Sequence, residues 1–504
     1  MAKLGRGWLV TASVMAVLVY TIDSTVANIA LPYMQGSLQA SQDQIAWILT
    51  SYIVASAVCT PLAGFLATRI GIGRVLTTSV ALFTLASVAC GLATSLPEMV
   101  VFRALQGGSG AALVPLSQVL LLKAYPPALH GRANALWGMG VLVGPILGST
   151  IGGWLTEYYG WRWAFLINLP VGLLAVAVMV AAIPKDEPDT RRRFDRIGFL
   201  WLSLAVGLLQ LALDRGHGQN WFQSTEIIVE CALGALALYL FVAHSLTHPA
   251  PFIPLALFRD RNFVLAMGVS FCMGFLIVTP AALLPQFLQQ VQGYPVVDAG
   301  LMMAVRGVGA IIVTIWMGKH STQFDARWLG AIGMALTAVS MLMFRQLSVD
   351  TPAWWVMSGA FIQGVAISFL FLPVTNLAYT TLPSHLRTDG GAAAALGRNI
   401  GSSVGLSLIF AELLDSAQRN RAYMTENLDR FDTQHWLGIT PALERAGGVA
   451  PDGSVDPGVL GGVIGPEMAR QAAVIGYDNA FSIMAMAVAM ALPLVLLMKM
   501  PKRD

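Results

Sequence analysis

Fourteen times along this chain, about twenty residues in a row run apolar with at most a stray charge, and a stretch of that length matches the hydrocarbon thickness of a bilayer. The windows lie near 8–31, 44–67, 76–95, 98–122, 133–156, 163–183, 197–213, 226–246, 263–288, 299–318, 328–346, 354–379, 390–414 and 477–498. In lipid a backbone must satisfy its own hydrogen bonds, so segments of this length are helices and the chain is an all-α membrane bundle. Composition agrees: 11% of the 504 residues are charged, against about 25% in soluble domains. The start, "MAKLGRGWLV", has the basic flank of a signal peptide. The apolar run behind it is about 24 residues, too long for such a signal, so it reads as the first spanning helix.

Other function classes find no support. A net charge of +3, with no basic run interleaved with aromatics, gives no nucleic-acid footprint. Cys59, Cys90, Cys231 and Cys272 lie in apolar runs without a CxxC pair, which reads as free thiols with no disulfide framework and no metal site. Seven histidines are scattered, the serines lack base partners and no phosphate loop occurs, so the chain is expected to transport and not to catalyse, with no cofactor.

An even helix count puts both termini on one side. If that side is cytoplasmic, nineteen Lys and Arg residues fall in cytoplasmic segments, and the short outer loops hold only Arg162, Arg215 and Arg345. The positive-inside rule therefore predicts cytoplasmic termini and an external loop over 415–476.

Two parts of the chain echo each other. Gln106-Gly107 matches Gln363-Gly364, Pro126 matches Pro383, and Gly144 and Gly148 match Gly401 and Gly405, all at an offset of 257. The reading is a duplication: an N-terminal six-helix bundle over 1–183, a linker over 184–261 with two inserted helices, and a C-terminal six-helix bundle over 262–504. Transporters built from such repeats place the substrate site between them near the midplane.

Against this apolar background a few residues stand out. Asp23, inside "YTIDSTVANIALP", is an acid deep in the first span, and an intramembrane charge is by default a functional hypothesis. It lies off the polar face formed by Thr21, Ser24, Thr25 and Asn28, among Ala16, Val19, Tyr20, Ala27 and Ala30, so it is expected against another helix. It either exchanges a proton or anchors a fixed network. On the fourth span Arg103, Gln106, Gly107, Gly110 and Ser117 share one face, and Arg103 either serves transport or bonds helix carbonyls. On the fifth, Gly140, Gly144, Gly148 and Gly152 make an unbroken small-residue stripe, flanked by Gly153 and interrupted by Pro145. Such a stripe lets another helix approach closely, and the functional reading is a bendable contact between the two halves. The loop "GFLATRIGIGR" carries Gly64, Arg69, Gly71 and Arg74. Asn28, Gln106, Gln363, Arg306 and Arg398 are the polar candidates for a central cavity, with helix packing an equal alternative for Arg306 and Arg398. Glu230 and Glu412 are further acids in or near spans.

Taken in order, "IDSTVANIALP", "GFLATRIGIGR", "FRALQGGSGAA", "GPILGSTIGGWL" and "WRWAFLINLPVG" resemble the successive signature motifs of the major facilitator superfamily, in its fourteen-helix drug–proton antiporter branch of EmrB/QacA type. "LQLALDRGHGQNWF", "FIPLALFRDRNF" and "LPQFLQQVQGY" extend the likeness into the second half, and "PLSQVLLLKAYPPALHGRANALWGM" is most similar to EmrB-like exporters of Gram-negative bacteria. The resemblance implies a proton-coupled multidrug efflux transporter of the bacterial inner membrane, driven by the proton gradient. Its substrates would be hydrophobic or amphipathic compounds, reaching it from the cytoplasm or the lipid. It implies proton coupling by Asp23 and Arg103, an antiporter motif at Gly140, Gly144, Pro145, Gly148, Gly152 and Gly153, and a gating loop at Gly64, Arg69, Gly71 and Arg74. Where that loop usually holds an aspartate, this chain has Thr68. It further implies a periplasmic adaptor protein and an outer-membrane channel as partners; the outer loop over 415–476, rich in Gly, Asp and Pro, is either a mobile loop or a docking surface for the adaptor. A dedicated exporter of one metabolite class, fatty acids or siderophores, is the alternative on the same fold.

Overall fold

The computed structural model describes residues 6–40, 42–126, 130–183, 194–216, 218–320, 323–383, 386–426 and 457–499. Fourteen of its helical segments are long and apolar enough to cross a membrane. In chain order the helices are α1 (Arg6–Ser37), α2 (Gln42–Ile70), α3 (Ile72–Leu92), α4 (Leu96–Gly110), α5 (Leu113–Ala124), α6 (His130–Tyr158), α7 (Trp161–Leu166), α8 (Asn168–Ala182), α9 (Arg196–Arg215), α10 (Thr225–Thr247), α11 (Arg261–Gln286), α12 (Val296–His320), α13 (Ala326–Phe344), α14 (Ala353–Thr380), α15 (Arg387–Glu426) and α16 (Pro457–Leu496). A π-helical turn, Phe287–Val291, continues α11. No strand occurs among the described residues.

Local chemistry sets several boundaries. Asp195, Asp260 and Asp325 cap α9, α11 and α13, their carboxylates accepting the amides of Gly198, Phe263 and Arg327 at 2.8 Å. The tight α2–α3 turn passes through Gly71 at φ +97°, a conformation that a Cβ disfavours.

The two halves pack alike. In the first, α1 runs along α6, α2 along α4, and α3 lies against α4 and α8; in the second, α11 runs along α15, α12 along α14, and α13 lies against α14 and α16. Across the halves α6 meets α12 and α2 meets α15. The inserted pair packs on itself, and α9 lies on α2 and also touches α15. Gln210 of α9 donates to Ser403 of α15, and Asn399 of α15 donates to Thr60 of α2 at 3.4 Å.

Several sequence expectations change. The fourth span is broken at Ala111 and Ala112, between α4 and α5, and the sixth is broken at Ile167, between α7 and α8. Helix also continues into the expected outer loop: α15 extends to Glu426 and α16 begins at Pro457, while 427–456 lies outside the described residues. The fifth-span glycines do not form the contact between halves. They face α1, inside the first half: a Cβ at Gly144 or Gly148 would fall on Thr21 Oγ1 or Thr25 Oγ1, and one at Gly152 would lie 2.7 Å from Val26 Cγ2. The threonines can sit there because their hydroxyls bond to their own helix, Thr21 Oγ1 to the Val17 carbonyl at 2.8 Å and Thr25 Oγ1 to that of Ile22 at 2.9 Å. Thr21 and Thr25, expected on a polar face of α1, thus pack against α6. Helix α6 meets the second half elsewhere, for example where Trp137 stacks on Phe371 of α14, with ring centroids 5.6 Å apart.

Candidate functional site

The break at Ile167 places Asn168 at the first position of α8, turned into the first half. There it meets Asp23 of α1 and Arg103 and Gln106 of α4, all of them 1% exposed or less. Asp23 Oδ2 accepts Arg103 Nη1 at 2.9 Å; Oδ1 accepts Gln106 Nε2 at 2.7 Å and Asn168 Nδ2 at 2.8 Å. Arg103 Nη1 also donates to Gln106 Oε1 at 2.8 Å, and its Nε to the Ile48 carbonyl at 3.4 Å. Asn168 Nδ2 donates in addition to Ser87 Oγ at 2.9 Å, and Ser87 Oγ donates to the Phe165 carbonyl at 2.9 Å. The guanidinium carbon stands 4.1 Å from the Tyr52 ring centroid and 5.7 Å from that of Phe165.

This is one ion pair inside the lipid-spanning part of the protein, with three donors on a single carboxylate. Desolvating two charges is costly unless further hydrogen bonds serve the lone pairs and protons, and here the Asp23 carboxylate accepts from three side chains. Chemically, Asp23 can give up its charge by taking a proton, and the rest of the network can then relax around it. Asn168 and Tyr52 were not singled out in the sequence. The only signal for Asn168 was a lone amide in the apolar motif "WRWAFLINLPVG"; Tyr52 carries no signal, because an aromatic in a span usually packs.

The other sequence candidates scatter. Ser117, expected on the face of Arg103, lies beyond the α4–α5 break and accepts Trp137 Nε1 at 2.9 Å. Gln106, taken for a cavity residue, is occupied by the ion pair. Gln363 is 2% exposed, with no partner for its buried Nε2 among the described residues. Arg306 donates to the Ile277 carbonyl of α11 at 3.0 Å. The side chain of Asn28 lies outside the described residues. Arg398 does line a cavity between the halves, together with Pro115 and Gln118 of α5, Met267 and Ser270 of α11 and Thr375 of α14; no carboxylate is among the described residues that line it.

Around the α2–α3 turn, Gly64 of α2 and Gly71 of the turn are buried and Arg69 of α2 and Arg74 of α3 exposed, with Arg69 5.9 Å from the Phe65 ring. Thr68 Oγ1 donates to the Gly64 carbonyl at 3.1 Å, within its own helix. Glu230 pairs with Arg215 at 3.4 Å, between α10 and the end of α9, and Glu412 pairs with Arg419 at 3.0 Å along α15.

Asp195, His244 and His248 gather metal-type donor atoms where α9 begins and α10 ends. The carboxylate is already taken: Oδ1 accepts Gly198 N and meets His244 Nε2, both at 2.8 Å, and Oδ2 accepts Phe252 N at 3.0 Å. Burial pushes this carboxyl up, but the Gly198 amide, His244 and the Phe252 amide outweigh it and hold it below the usual aspartate range. The group acts as a staple for the linker.

A model of the Major Facilitator Superfamily matches residues 13–406. The chain is 34% identical to the multidrug export protein EmrB of Escherichia coli strain K12 over 424 residues, 83% of this chain and 82% of that one. It is 33% identical to the fatty acid resistance protein FarB of Neisseria gonorrhoeae over 502 residues, 98% of this chain and 96% of that one. Among solved structures the proton:xylose symporter XylE aligns over 98% of this chain and 99% of its own, with a TM-score of 0.61 and 14% identity, a likeness of fold alone.

Proposed function

Because this chain belongs to the Major Facilitator Superfamily, among its EmrB-like multidrug exporters, we propose that it is a proton-coupled efflux pump working by alternating access. The observation that carries the reading is the buried Asp23–Arg103 pair, the one place among the described residues where two opposite charges meet nearly excluded from solvent. An ion pair costly to bury is a poor packing device and a good switch. A proton arriving from outside neutralises Asp23 and loosens its hold on Arg103, Gln106 and Asn168. Those three contacts join α1 to α4 and α8, so protonation alters how the first bundle is braced. Substrate from the cytoplasm or inner leaflet occupies the cavity between α5 and α11, α14 and α15, and binds the two states unequally, as any coupling requires. Both termini are cytoplasmic in this reading, and the outer ends of α15 and α16 face a periplasmic adaptor that leads to an outer-membrane channel.

The test is efflux of the dye Hoechst 33342 from proteoliposomes bearing a proton gradient, with internal pH followed in parallel. Wild-type protein should export dye and dissipate the gradient; Asp23→Asn should bind dye and do neither. Undiminished pumping by Asp23→Asn sinks the reading.

A second reading is favoured by one observation: Arg398, Gln118, Ser270 and Thr375 line the cavity together with apolar residues, and no carboxylate is among the described residues that line it. That lining suits an amphipathic carboxylate, in keeping with the likeness to a fatty acid resistance protein. Competition of laurate with Hoechst export, abolished by Arg398→Gln, distinguishes a dedicated exporter from a broad one.

A further inference from the structure

Protonating Asp23 raises a difficulty that the geometry itself answers. Arg103 is 1% exposed, and once Asp23 is neutral a buried guanidinium has lost its counter-charge. Such a cation drives its counter-ion to stay ionised unless something else holds it. The groups that face the pair are Tyr52 from α2, Cys90 from α3 and Tyr20 from α1 itself; no second carboxylate is among the described residues there. Cys90 Sγ meets Gln106 Oε1 at 3.6 Å, and the Tyr20 and Tyr52 rings stand 6.2 Å apart.

What remains for the cation is the face of Tyr52, 4.1 Å from the guanidinium carbon, with Phe165 more distant at 5.7 Å. The Ile48 carbonyl, one helical turn before Tyr52, and Gln106 Oε1 complete the set. Tyr52 is held in place from behind: it is 5% exposed, and Gly107 of α4 packs so closely on its carbonyl that a Cβ there would overlap it. A ring face attracts a bare cation more strongly than one already neutralised by an anion, and desolvation enlarges the difference.

We infer that Tyr52 is a positioning residue for proton coupling: its ring holds the Arg103 guanidinium when Asp23 is protonated, and so sets the pH at which Asp23 takes its proton. The inference rests on the proton-coupled reading above. Its sign follows from the argument, since removing the ring removes support from the protonated state and protonation then needs a lower pH.

The experiment is pH-titrated infrared difference spectroscopy of the full-length protein in detergent, which needs no substrate. It reads the protonated-carboxyl band that disappears in Asp23→Asn. Tyr52→Leu should move the midpoint of that band about one pH unit lower, a tenfold change in proton affinity. Tyr52→Phe, which keeps the ring, should restore the wild-type midpoint. If Tyr52→Leu does not reach the membrane folded, Tyr52→Met carries the same test. An unmoved midpoint in the leucine or methionine variant overturns the inference, and so does an equal shift in the phenylalanine variant. The coupling reading is tested apart from this, by dye export in Asp23→Asn: export lost with no midpoint shift refutes the role of Tyr52 alone, whereas export retained refutes both.

Discussion

At the level of Asp23 the first half buries Asp23, Arg103, Gln106 and Asn168; the matching positions of the second half bury Leu276, Ala360, Gln363 and Met484. The match rests on sequence and packing together. Leu31-Pro32 of α1 corresponds to Leu284-Pro285 of α11, and the segment from Gly160 to Phe165 to that from Gly476 to Phe481, each sharing glycine, alanine and phenylalanine at the same places. Gly107 packs on the carbonyl of Tyr52, and Gly364 packs on that of Arg306 in the same way. The second half is therefore a control made by the protein itself. The same helices meet at the same place with uncharged side chains, so the fold does not need the charges. Apolar residues of similar volume often replace buried ion pairs at no loss of stability, which supports the proposed coupling role of the cluster over a packing role. Even the arginine differs in role: Arg103 binds a carboxylate, whereas Arg306, at the place of Tyr52, binds only a carbonyl among its described partners.

Five variants sharpen or break this comparison. The largest effect should come from Arg103→Ala alone, which strands Asp23 and should cost about 3–5 kcal/mol in thermal unfolding in detergent. Giving the first half the second half's pattern, with Asp23→Leu, Arg103→Ala and Asn168→Met together, should recover most of that stability and leave no proton-coupled Hoechst export. If the triple variant is as unstable as the single one, the cluster is structural and the comparison fails. Next in size are the glycines under the two long helix pairs. A Cβ at Gly401 would overlap the Phe271 backbone carbonyl, whereas at Gly144 it would overlap the side chain of Thr21. Gly401→Ala should therefore cost about 1–3 kcal/mol and Gly144→Ala the lower end of that range, because a side chain yields more easily than a carbonyl. The smallest effect belongs to Arg306→Gln, which removes one hydrogen bond to the Ile277 carbonyl, worth about 1 kcal/mol, and should leave proton flux per exported dye unchanged. Loss of that flux would mean that the second half carries its own coupling element.

Much of the fold was legible because the bilayer is a severe solvent. A span of fixed length and the rule that its backbone must close on itself give the helices directly, and each of the fourteen windows overlaps one of the fourteen membrane-length helical segments among the described residues. Asp23 and Arg103 were legible for the same reason, as charges where charges are expensive. The breaks at Ala111, Ala112 and Ile167 were not, since alanine and isoleucine are as much at home in a helix as beside one. The side of α6 that its glycines serve was not legible either: a small-residue stripe states that a helix comes close and leaves open which one.

The sequence alone thus determined that this chain crosses the membrane repeatedly as paired six-helix units with two helices between them, and which residues are too polar to be there by indifference. Only the tertiary structure decided that Asp23 meets Arg103, that Gln106 and Asn168 complete the pair, that Tyr52 lies over the cation, and that Arg398 lines a cavity while Arg306 binds a carbonyl. The physical reason is that hydropathy is a property of each segment in its solvent, readable one helix at a time. Partnership depends on the rotation and depth of helices that are far apart in the chain, eighty or more residues for the contacts of Asp23, and those are fixed by close packing across the whole bundle.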